Sequence, residues 1–214
     1  MKFAKGSYSW ILTPIIFSII FSYLIMLSPN YKLIFLILSI LSIIISIIFI
    51  IFFRDPDRKI GEGIVSPADG YIRDIYDYTD VEIGNCKIIS IFMNIHNVHI
   101  NRMPIDGKII DITHLKGSHI PAFKKESDKN ERVIIKIHTS IGIIKIIQIA
   151  GTIARRIVPY INIDDTLKKG DKIGLIRLGS RVDLYIPNKK NIKYKVAKSD
   201  NVKAGQSCVG KIND

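Results

Sequence analysis

The segment "IRLGSRVDLYIP", residues 176–187, joins a glycine–serine pair to a regular strand pattern. From Arg181 onward apolar and polar residues alternate, which predicts a β-strand with one buried face. Gly179 and Ser180 stand at the head of this strand, and glycine in a strand usually marks a bulge or the close approach of another group. The pair is therefore a candidate site, in which a small nucleophile follows the most flexible residue.

Charge divides the 214-residue chain into two parts. Residues 1–53 contain three lysines and no acidic residue, so residues 54–214 hold 28 of the 31 basic and all 19 acidic residues, which leaves a net charge of +9. A solvated basic surface and attraction to anionic lipid both fit this charge. The sequence has no basic helix, zinc-finger spacing or aromatic–basic RNA signature, so nucleic acid is not expected as a partner.

Cys86 and Cys208 lie far apart without metal-type spacing, which predicts neither a disulfide framework nor a metal site.

Two apolar segments near the N-terminus predict a transmembrane helical hairpin. Residues 33–53 carry no charge, and as a helix they would span about 31 Å, the thickness of a hydrocarbon core. Residues 10–27 form a slightly shorter run, and residues 28–32 between the two are typical of a tight turn. A cleavable signal peptide is the alternative for the first run, but no small-x-small cleavage site follows it.

Basic residues at the outer ends of the hairpin predict its orientation. By the positive-inside rule, both ends and the domain that follows lie on the cytoplasmic side of the cell (inner) membrane. These flanking residues are Lys2 and Lys5 before the hairpin and Arg54, Arg58 and Lys59 after it, with only Lys32 in the turn. We therefore expect a membrane hairpin at residues 1–53 and a separate domain at residues 54–214.

After Pro56 the sequence predicts a mostly β domain. Short Ile- and Val-rich runs recur between Gly, Asp, Asn and Pro residues, which favours strands. These runs are "KIISIFMNI", "KIIDITHL", "RVIIKIHT", "GIIKIIQIA", "KIGLIRL" and "RVDLYIP". The phrases "LKKGDKIGLI" and "VKAGQSCVGKI" are similar to the glycine turns of lipoyl-type folds, so we expect a barrel-sandwich, lipoyl-like domain with a short helix near residues 121–125. On these features alone, a membrane-tethered structural or carrier module without catalysis is the alternative to an enzyme.

Several polar residues are candidates for chemistry. Asp69 in "VSPADGYI" is typical of an ordinary turn aspartate. His96 and His99 are three residues apart, so on a strand they would point to opposite faces, and a shared metal ion is not expected. One of them could act as a buried base held by a carboxylate such as that of Asp69. Arg155 and Arg156 in "QIAGTIARRIV" fit a solvated face or a phosphate contact equally well.

Six motifs, taken in order, resemble the phosphatidylserine decarboxylases in their short form with two N-terminal membrane segments. They are "FFRDPDR", "VSPADG", "NVHINRMPIDG", "NER", "QIAGTIARRIV" and "GSRVDLYIP", and they cover nearly the whole chain after residue 50. Ser180 lacks the G-x-S-x-G frame of a conventional serine hydrolase, and the resemblance gives it another role. It implies that the chain cuts itself between Gly179 and Ser180 and converts Ser180 into a pyruvoyl group, its covalent cofactor.

The resemblance also implies how the cut is made. The Ser180 hydroxyl attacks the Gly179 carbonyl, His99 takes its proton, and Asp69 orients the imidazole ring. Glycine suits this position because it has no side chain to block the attack and tolerates a strained backbone.

The implied reaction is the decarboxylation of phosphatidylserine to phosphatidylethanolamine, with the cofactor carrying the difficult chemistry. His96 is then a candidate for protonating the decarboxylated carbon, and Arg155 or Arg156 for holding the phosphate. The expected partners are the lipid substrate, membrane lipid and the chain's own large and small fragments, and a homo-oligomer is left open.

Overall fold

The chain folds into two compact units, residues 1–57 and residues 58–214. The computed structural model describes residues 2–118, 129–151, 157–176 and 180–213. The expected division between residues 53 and 54 lies near the end of the first unit.

The first unit is a pair of apolar helices. Helix α1 covers Tyr8–Leu27, helix α2 covers Lys32–Phe52, and a 3₁₀ turn at Pro29–Tyr31 joins them. Strand β1 (Lys2–Phe3) pairs with strand β2 (Arg54–Asp55), so the two ends of this unit are held together. Both helices are long and apolar enough to cross a membrane, and most of their large side chains are exposed. Apolar surface on this scale is compatible with the predicted membrane hairpin.

Serines form part of the contact between the two helices, beside the ring pairs Trp10–Phe49 and Phe21–Phe35. The hydroxyl oxygen of Ser39 lies 3.0 Å from that of Ser22 and 3.3 Å from that of Ser18. Within α2, the Ser46 hydroxyl donates to the carbonyl of Ser42 at 2.8 Å. The α2 serines are buried while the isoleucines around them are exposed. A row of small residues therefore forms part of the helix interface, as is common in membrane helix pairs.

The second unit is built from short strands rich in isoleucine and valine, whose branched side chains favour a pleated surface. The strands are β3 (Ile64–Val65), β4 (Gly70–Asp80), β5 (Gly84–Met93), β6 (Ile100–Arg102), β7 (Gly107–Leu115), β8 (Arg132–Thr139), β9 (Gly142–Ala150), β10 (Ile157–Pro159), β11 (Thr166–Leu167), β12 (Lys172–Ile176), β13 (Ser180–Pro187), β14 (Ile192–Tyr194), β15 (Asn201–Val202) and β16 (Cys208–Ile212).

Eight of these strands form one antiparallel sheet that curls into a half-barrel, in the order β11-β7-β8-β9-β13-β5-β4-β15. The other described strands of the unit include two three-stranded sheets, β10-β12-β6 and β14-β16-β3. Apolar side chains from these sheets form a common core, in which Ile89, Ile146 and Leu184 are fully buried. Strand β13 lies in the interior of the large sheet, paired with β5 and β9.

The prediction of two N-terminal apolar helices followed in the sequence by a mostly β domain is confirmed. The six apolar runs correspond to β5, β7, β8, β9, β12 and β13. The longest described strand, β4, was not predicted, because charged residues interrupt its sequence "GYIRDIYDYTD". Beyond its first few residues this strand is largely exposed, so it has no regular pattern of buried apolar side chains. The short helix expected near residues 121–125 lies outside the described residues.

The prediction that β13 has only one buried face is wrong. Arg181 and Asp183, on its polar face, are only 5% and 3% exposed. Arg181 Nη2 lies 2.9 Å from Asp183 Oδ2, and the Ser90 hydroxyl donates to Asp183 Oδ1 at 2.6 Å. These charged groups tolerate burial because they neutralise and hydrogen-bond one another, which an isolated charge could not do.

Candidate active site

Ser180 opens β13 and is fully buried. Its backbone pairs with Met93 of β5 on one side and with Ala150 of β9 on the other. Its hydroxyl donates to Met93 Sδ at 3.3 Å, and a thioether is only a weak acceptor. The main chain of Ser180 is therefore firmly placed, whereas its hydroxyl proton is weakly held.

His99 immediately precedes β6, in the neighbouring three-stranded sheet. Its carbonyl accepts the N–H of Ile176 at 3.3 Å, and Ile176 ends β12 four residues before Ser180. The ring Nδ1 lies 2.9 Å from the carbonyl oxygen of Asn97. Because a carbonyl can only accept, Nδ1 carries the proton, and the lone pair of the neutral ring is on Nε2. This tautomer is the one that a base acting through Nε2 requires.

The two histidines lie outside the strands, in the segment that joins β5 to β6, so the condition of a shared strand does not apply to them. Asn97 N–H donates to the Asn94 carbonyl at 2.9 Å, and Asn94 N–H donates to Asn97 Oδ1 at 2.8 Å, which closes the turn. His96 is exposed and His99 is fully buried. The turn thus places one imidazole in the interior and the other in contact with solvent.

Two buried amides lie beside the serine. Gln148 of β9 donates through Nε2 to Asn101 Oδ1 of β6 at 2.7 Å, and Asn101 Nδ2 lies 3.8 Å from Met93 Sδ. The Met93 sulfur therefore accepts from both Ser180 and Asn101. A row of polar contacts runs from Ser180 through Met93 and Asn101 to Gln148, and all four residues are fully buried.

Asp69 lies between β3 and β4 in a buried ion pair. Arg58 donates from Nη2 to Asp69 Oδ2 at 2.8 Å and from Nη1 to Oδ1. The backbone of Ala204 joins the same group, since its N–H donates to Asp69 Oδ1 and its carbonyl accepts from Arg58 Nη1, both at 2.8 Å. The Asp69 carboxylate therefore connects the start of this unit to its C-terminal segment.

The Asp69 loop runs beside the strand that follows His99. Pro67 accepts the N–H of Arg102 in β6 at 2.9 Å, and Val65 N–H donates to the Pro104 carbonyl at 2.9 Å. These bonds hold the loop against β6. A hydrogen bond in which His99 donates to Asp69 stays a prediction, since the described partner of His99 Nδ1 is the Asn97 carbonyl and those of the Asp69 carboxylate are Arg58 and Ala204.

Three candidates, Gly179, Arg155 and Arg156, lie outside the described residues. The bond expected to be cut therefore joins a residue outside the described part of the chain to Ser180 within it. Among the described residues, no group of three His, Cys, Asp or Glu side chains is placed to hold a metal ion.

Sequence reasoning missed four residues of this region: Arg58, Met93, Asn101 and Gln148. The amides had a usable signal, because a polar residue inside an apolar strand must find a hydrogen-bond partner when it is buried. Arg58 was considered as a flank of the hairpin and as the last residue of "FFRDPDR", without a role in the site. Met93 had no signal, since methionine in an apolar strand is typical of a core position.

The fold and the site define a class of protein in which a buried serine heads an interior strand of a β domain that follows an apolar helical pair. The family model described as phosphatidylserine decarboxylase matches residues 45–210. The chain therefore belongs to the phosphatidylserine decarboxylase family, and it is an enzyme of that family.

Relatives named for two different lipids match the chain. A protein of Methanosarcina mazei with the provisional name archaetidylserine decarboxylase proenzyme is 40% identical over 99% of this chain and 97% of its own length. A Methanosarcina acetivorans protein of the same provisional name is 46% identical over 76% of this chain and 74% of its own. The phosphatidylserine decarboxylase proenzyme of Streptomyces avermitilis is 47% identical over 68% of this chain and 66% of its own.

Proposed function

We propose that this chain decarboxylates phosphatidylserine to phosphatidylethanolamine, using a pyruvoyl group that it makes from Ser180 by cutting the Gly179–Ser180 bond. The observation that carries the proposal is the burial of the Ser180 hydroxyl at the head of β13, where two neighbouring strands fix its backbone. The word proenzyme in the relatives' names supports processing of the chain.

The cut needs only groups of this chain and water. Ser180 Oγ bonds to the Gly179 carbonyl carbon as the peptide C–N bond breaks, and the hydroxyl proton ends on the released amine. Elimination then removes the Cα proton of residue 180 and breaks its Cβ–Oγ bond, which leaves a Gly179 carboxylate and a dehydroalanine. Water replaces the nitrogen of the dehydroalanine, so ammonia leaves and a pyruvoyl group remains.

His99 is the proposed base for this step. Its Nε2 holds the lone pair because Nδ1 donates to Asn97, and the residue is fully buried just before β6, where its carbonyl accepts from Ile176 of β12. A positioned histidine typically contributes about a hundredfold or more to such a proton transfer. Asp69 is proposed to stabilise the imidazolium through its negative charge and not through the hydrogen bond of a catalytic triad, because Nδ1 already donates to Asn97.

The residues around position 180 fit a pyruvoyl group. The group supplies an electron-withdrawing carbonyl when CO₂ is lost from the lipid. Asn101 Nδ2 donates to a thioether at 3.8 Å, a long bond to a weak acceptor, so it can turn to a stronger carbonyl acceptor. Met93 and Ala150 provide apolar walls that exclude water.

Three further candidates keep the roles suggested by the resemblance. His96 is exposed, where a headgroup can reach it, and we propose it as the proton donor to the decarboxylated carbon. Arg155 and Arg156 are proposed as phosphate contacts, since guanidinium groups bind phosphate oxygens in a forked geometry.

We also propose that the helical pair crosses the cell membrane and leaves the β domain on the cytoplasmic side. The length and apolar surface of both helices support the crossing, and the lysines and arginines at their outer ends support the orientation. The site would then stay close to lipid substrate. A membrane-tethered module without catalysis is not favoured, because the relatives have enzyme names.

Archaetidylserine is a second candidate substrate. The relative that matches the chain over nearly its full length has a name that refers to this lipid. Both lipids present a serine headgroup, so the same reaction at residue 180 serves either one. Decarboxylation rates on the two lipids, measured at equal surface concentration, identify the preferred substrate.

The test uses the full-length chain in detergent or vesicles. We expect two fragments by mass spectrometry, residues 1–179 and residues 180–214, and release of CO₂ from phosphatidylserine. Ser180→Ala should remain a single inactive chain of 24.3 kDa, whereas Ser140→Ala, which changes an exposed turn serine, should be cut normally. An intact wild-type chain that is fully active would overturn the self-processing mechanism.

A further inference from the structure

One acceptor in the buried row beside Ser180 has no partner among the described residues. It is Oε1 of Gln148, a residue that is fully buried. A buried carbonyl oxygen without a hydrogen bond is costly because it has lost its contacts with water, so a native protein rarely leaves one without a reason.

The chemistry of the neighbours decides which end of the amide is unpaired. Met93 Sδ only accepts, so Asn101 turns its Nδ2 toward the sulfur. Asn101 Oδ1 must then face Gln148, which meets it with Nε2 at 2.7 Å. The opposite orientation of both amides would set the Asn101 oxygen against the sulfur lone pairs. The unpaired end of Gln148 is therefore its carbonyl oxygen, which requires a donor.

Gln148 shares a sheet face with Ser180. Ser180 pairs with Ala150, and Val182, two residues further along β13, pairs with Gln148. Residues two apart on a strand, and residues directly opposite on neighbouring strands, point to the same face. Gln148 is thus the diagonal neighbour of Ser180, on the face that Asn101 of β6 contacts.

The covering strand leaves room for the glutamine. A Cβ at Gly174 of β12 would lie 2.9 Å from the Val158 carbonyl oxygen and 3.1 Å from Gln148 Nε2, so the glycine gives room both to the neighbouring strand and to the glutamine. Any larger residue at position 174 would press on the amide. A buried glutamine, a glycine that makes space for it and an unpaired oxygen together indicate a site for a ligand donor.

We propose that Gln148 Oε1 accepts an N–H from the amine of the serine headgroup of the lipid substrate. This inference rests on the proposed function, because the headgroup must reach residue 180. At neutral pH the headgroup's carboxylate and phosphate are acceptors, and its hydroxyl is esterified, so the amine is its only donor. Gln148 thereby recognises the amine and holds it beside residue 180.

The test separates amine recognition from folding and from cutting. Gln148→Met keeps the side-chain length and removes the acceptor, and Gln206→Met changes the chain's other glutamine as a control. The full-length, cut enzymes are compared by binding of phosphatidylethanolamine, which keeps the amine, and of phosphatidic acid, which has none. The extent of self-cleavage is measured on the same samples.

We expect Gln148→Met to weaken phosphatidylethanolamine binding and raise the KM for phosphatidylserine about tenfold, the size of one buried hydrogen bond. Binding of phosphatidic acid and the extent of cutting should stay close to wild type, as should every measurement on Gln206→Met. Gln148→Asn shortens the side chain by one methylene and should change phosphatidylethanolamine binding and the KM in the same direction by a smaller factor. This variant replaces Gln148→Met in the test if the methionine variant does not fold.

Three results would overturn the inference while leaving the proposed function intact. Equal loss of affinity for both lipids, or no loss for either, would mean that the oxygen holds a water molecule or no ligand. A Gln148→Met chain that folds but remains uncut would assign the amide to the cutting step instead. If the wild-type enzyme decarboxylates no serine lipid, the proposed function fails, and the inference fails with it.

Discussion

The Ser180 hydroxyl lies 3.3 Å from the sulfur of Met93, which is also its cross-strand neighbour in β5. The sulfur therefore competes with the proposed base, His99, for the proton that must leave before the peptide is cut. We expect Met93→Leu, which keeps the volume and removes the acceptor, to be cut about threefold faster, the size of one weak hydrogen bond. Gel time courses after synthesis measure the rate. Met103→Leu, also fully buried, is the control, and a slower Met93→Leu would show that the sulfur aids the cut.

His99 should control the cut and His96 should not. Removing the buried base in His99→Ala should slow self-cleavage about a hundredfold or more, while His96→Ala should be cut normally and lose decarboxylase activity. His138→Ala, an exposed strand histidine, is the control for the substitution itself. Normal cutting of His99→Ala in the same time course would remove His99 from the mechanism.

Arg58 should be a principal stabilising residue of the β domain. Arg58→Met leaves the Asp69 carboxylate buried without its partner, and breaking a buried pair in this way typically costs about 3–5 kcal/mol. The measurement is urea unfolding of the full-length chain in the Ser180→Ala background, which keeps every sample as one chain. Lys211→Met breaks the exposed pair with Glu62 and should have little effect. Equal effects of the two substitutions would contradict the role given to Arg58.

The turn between β4 and β5 should loosen in acid. Burial alone would raise the pKa of Asp80, but hydrogen bonds from Lys145 and from the Glu82 and Ile83 amides hold it below its ordinary value of 3.8. A carboxyl whose pKa is lower in the folded state stabilises the fold above pH 3.8, and this contribution is lost as the pH falls below that value. Hydrogen exchange in residues 78–86 should therefore increase below pH 4.

Lys145→Met provides the control for this acid effect. Without the lysine, the turn should exchange faster already at neutral pH, and its exchange should depend less on acid. The same acid dependence in Lys145→Met and wild type would show that the Lys145–Asp80 contact is not its source.

The sequence predicted the elements of this protein better than the contacts of its site. Strands such as β8 and β9 could be predicted from the sequence because runs rich in isoleucine are typical of buried strands. Strand β4 was missed because its outer part is exposed, so its aspartates carry no burial pattern. Ser180 was found through its motif, but Met93, Asn101 and Gln148 come from strands far apart in the chain. Their convergence depends on strand order and register, which local sequence patterns do not encode.

Strand β13 is hydrogen-bonded along both edges, to β5 over residues 180–187 and to β9 over residues 180–185. A cut before residue 180 leaves both ladders whole, so the two fragments can separate only when the sheet unfolds. The lifetime of the cut enzyme is then set by the rate at which the β domain unfolds. Dilution alone should not separate the two fragments. Reassembly from separated fragments would require inserting a strand into the middle of a formed sheet. A nicked enzyme that has once unfolded should therefore fail to recover, whereas the uncut Ser180→Ala chain should refold.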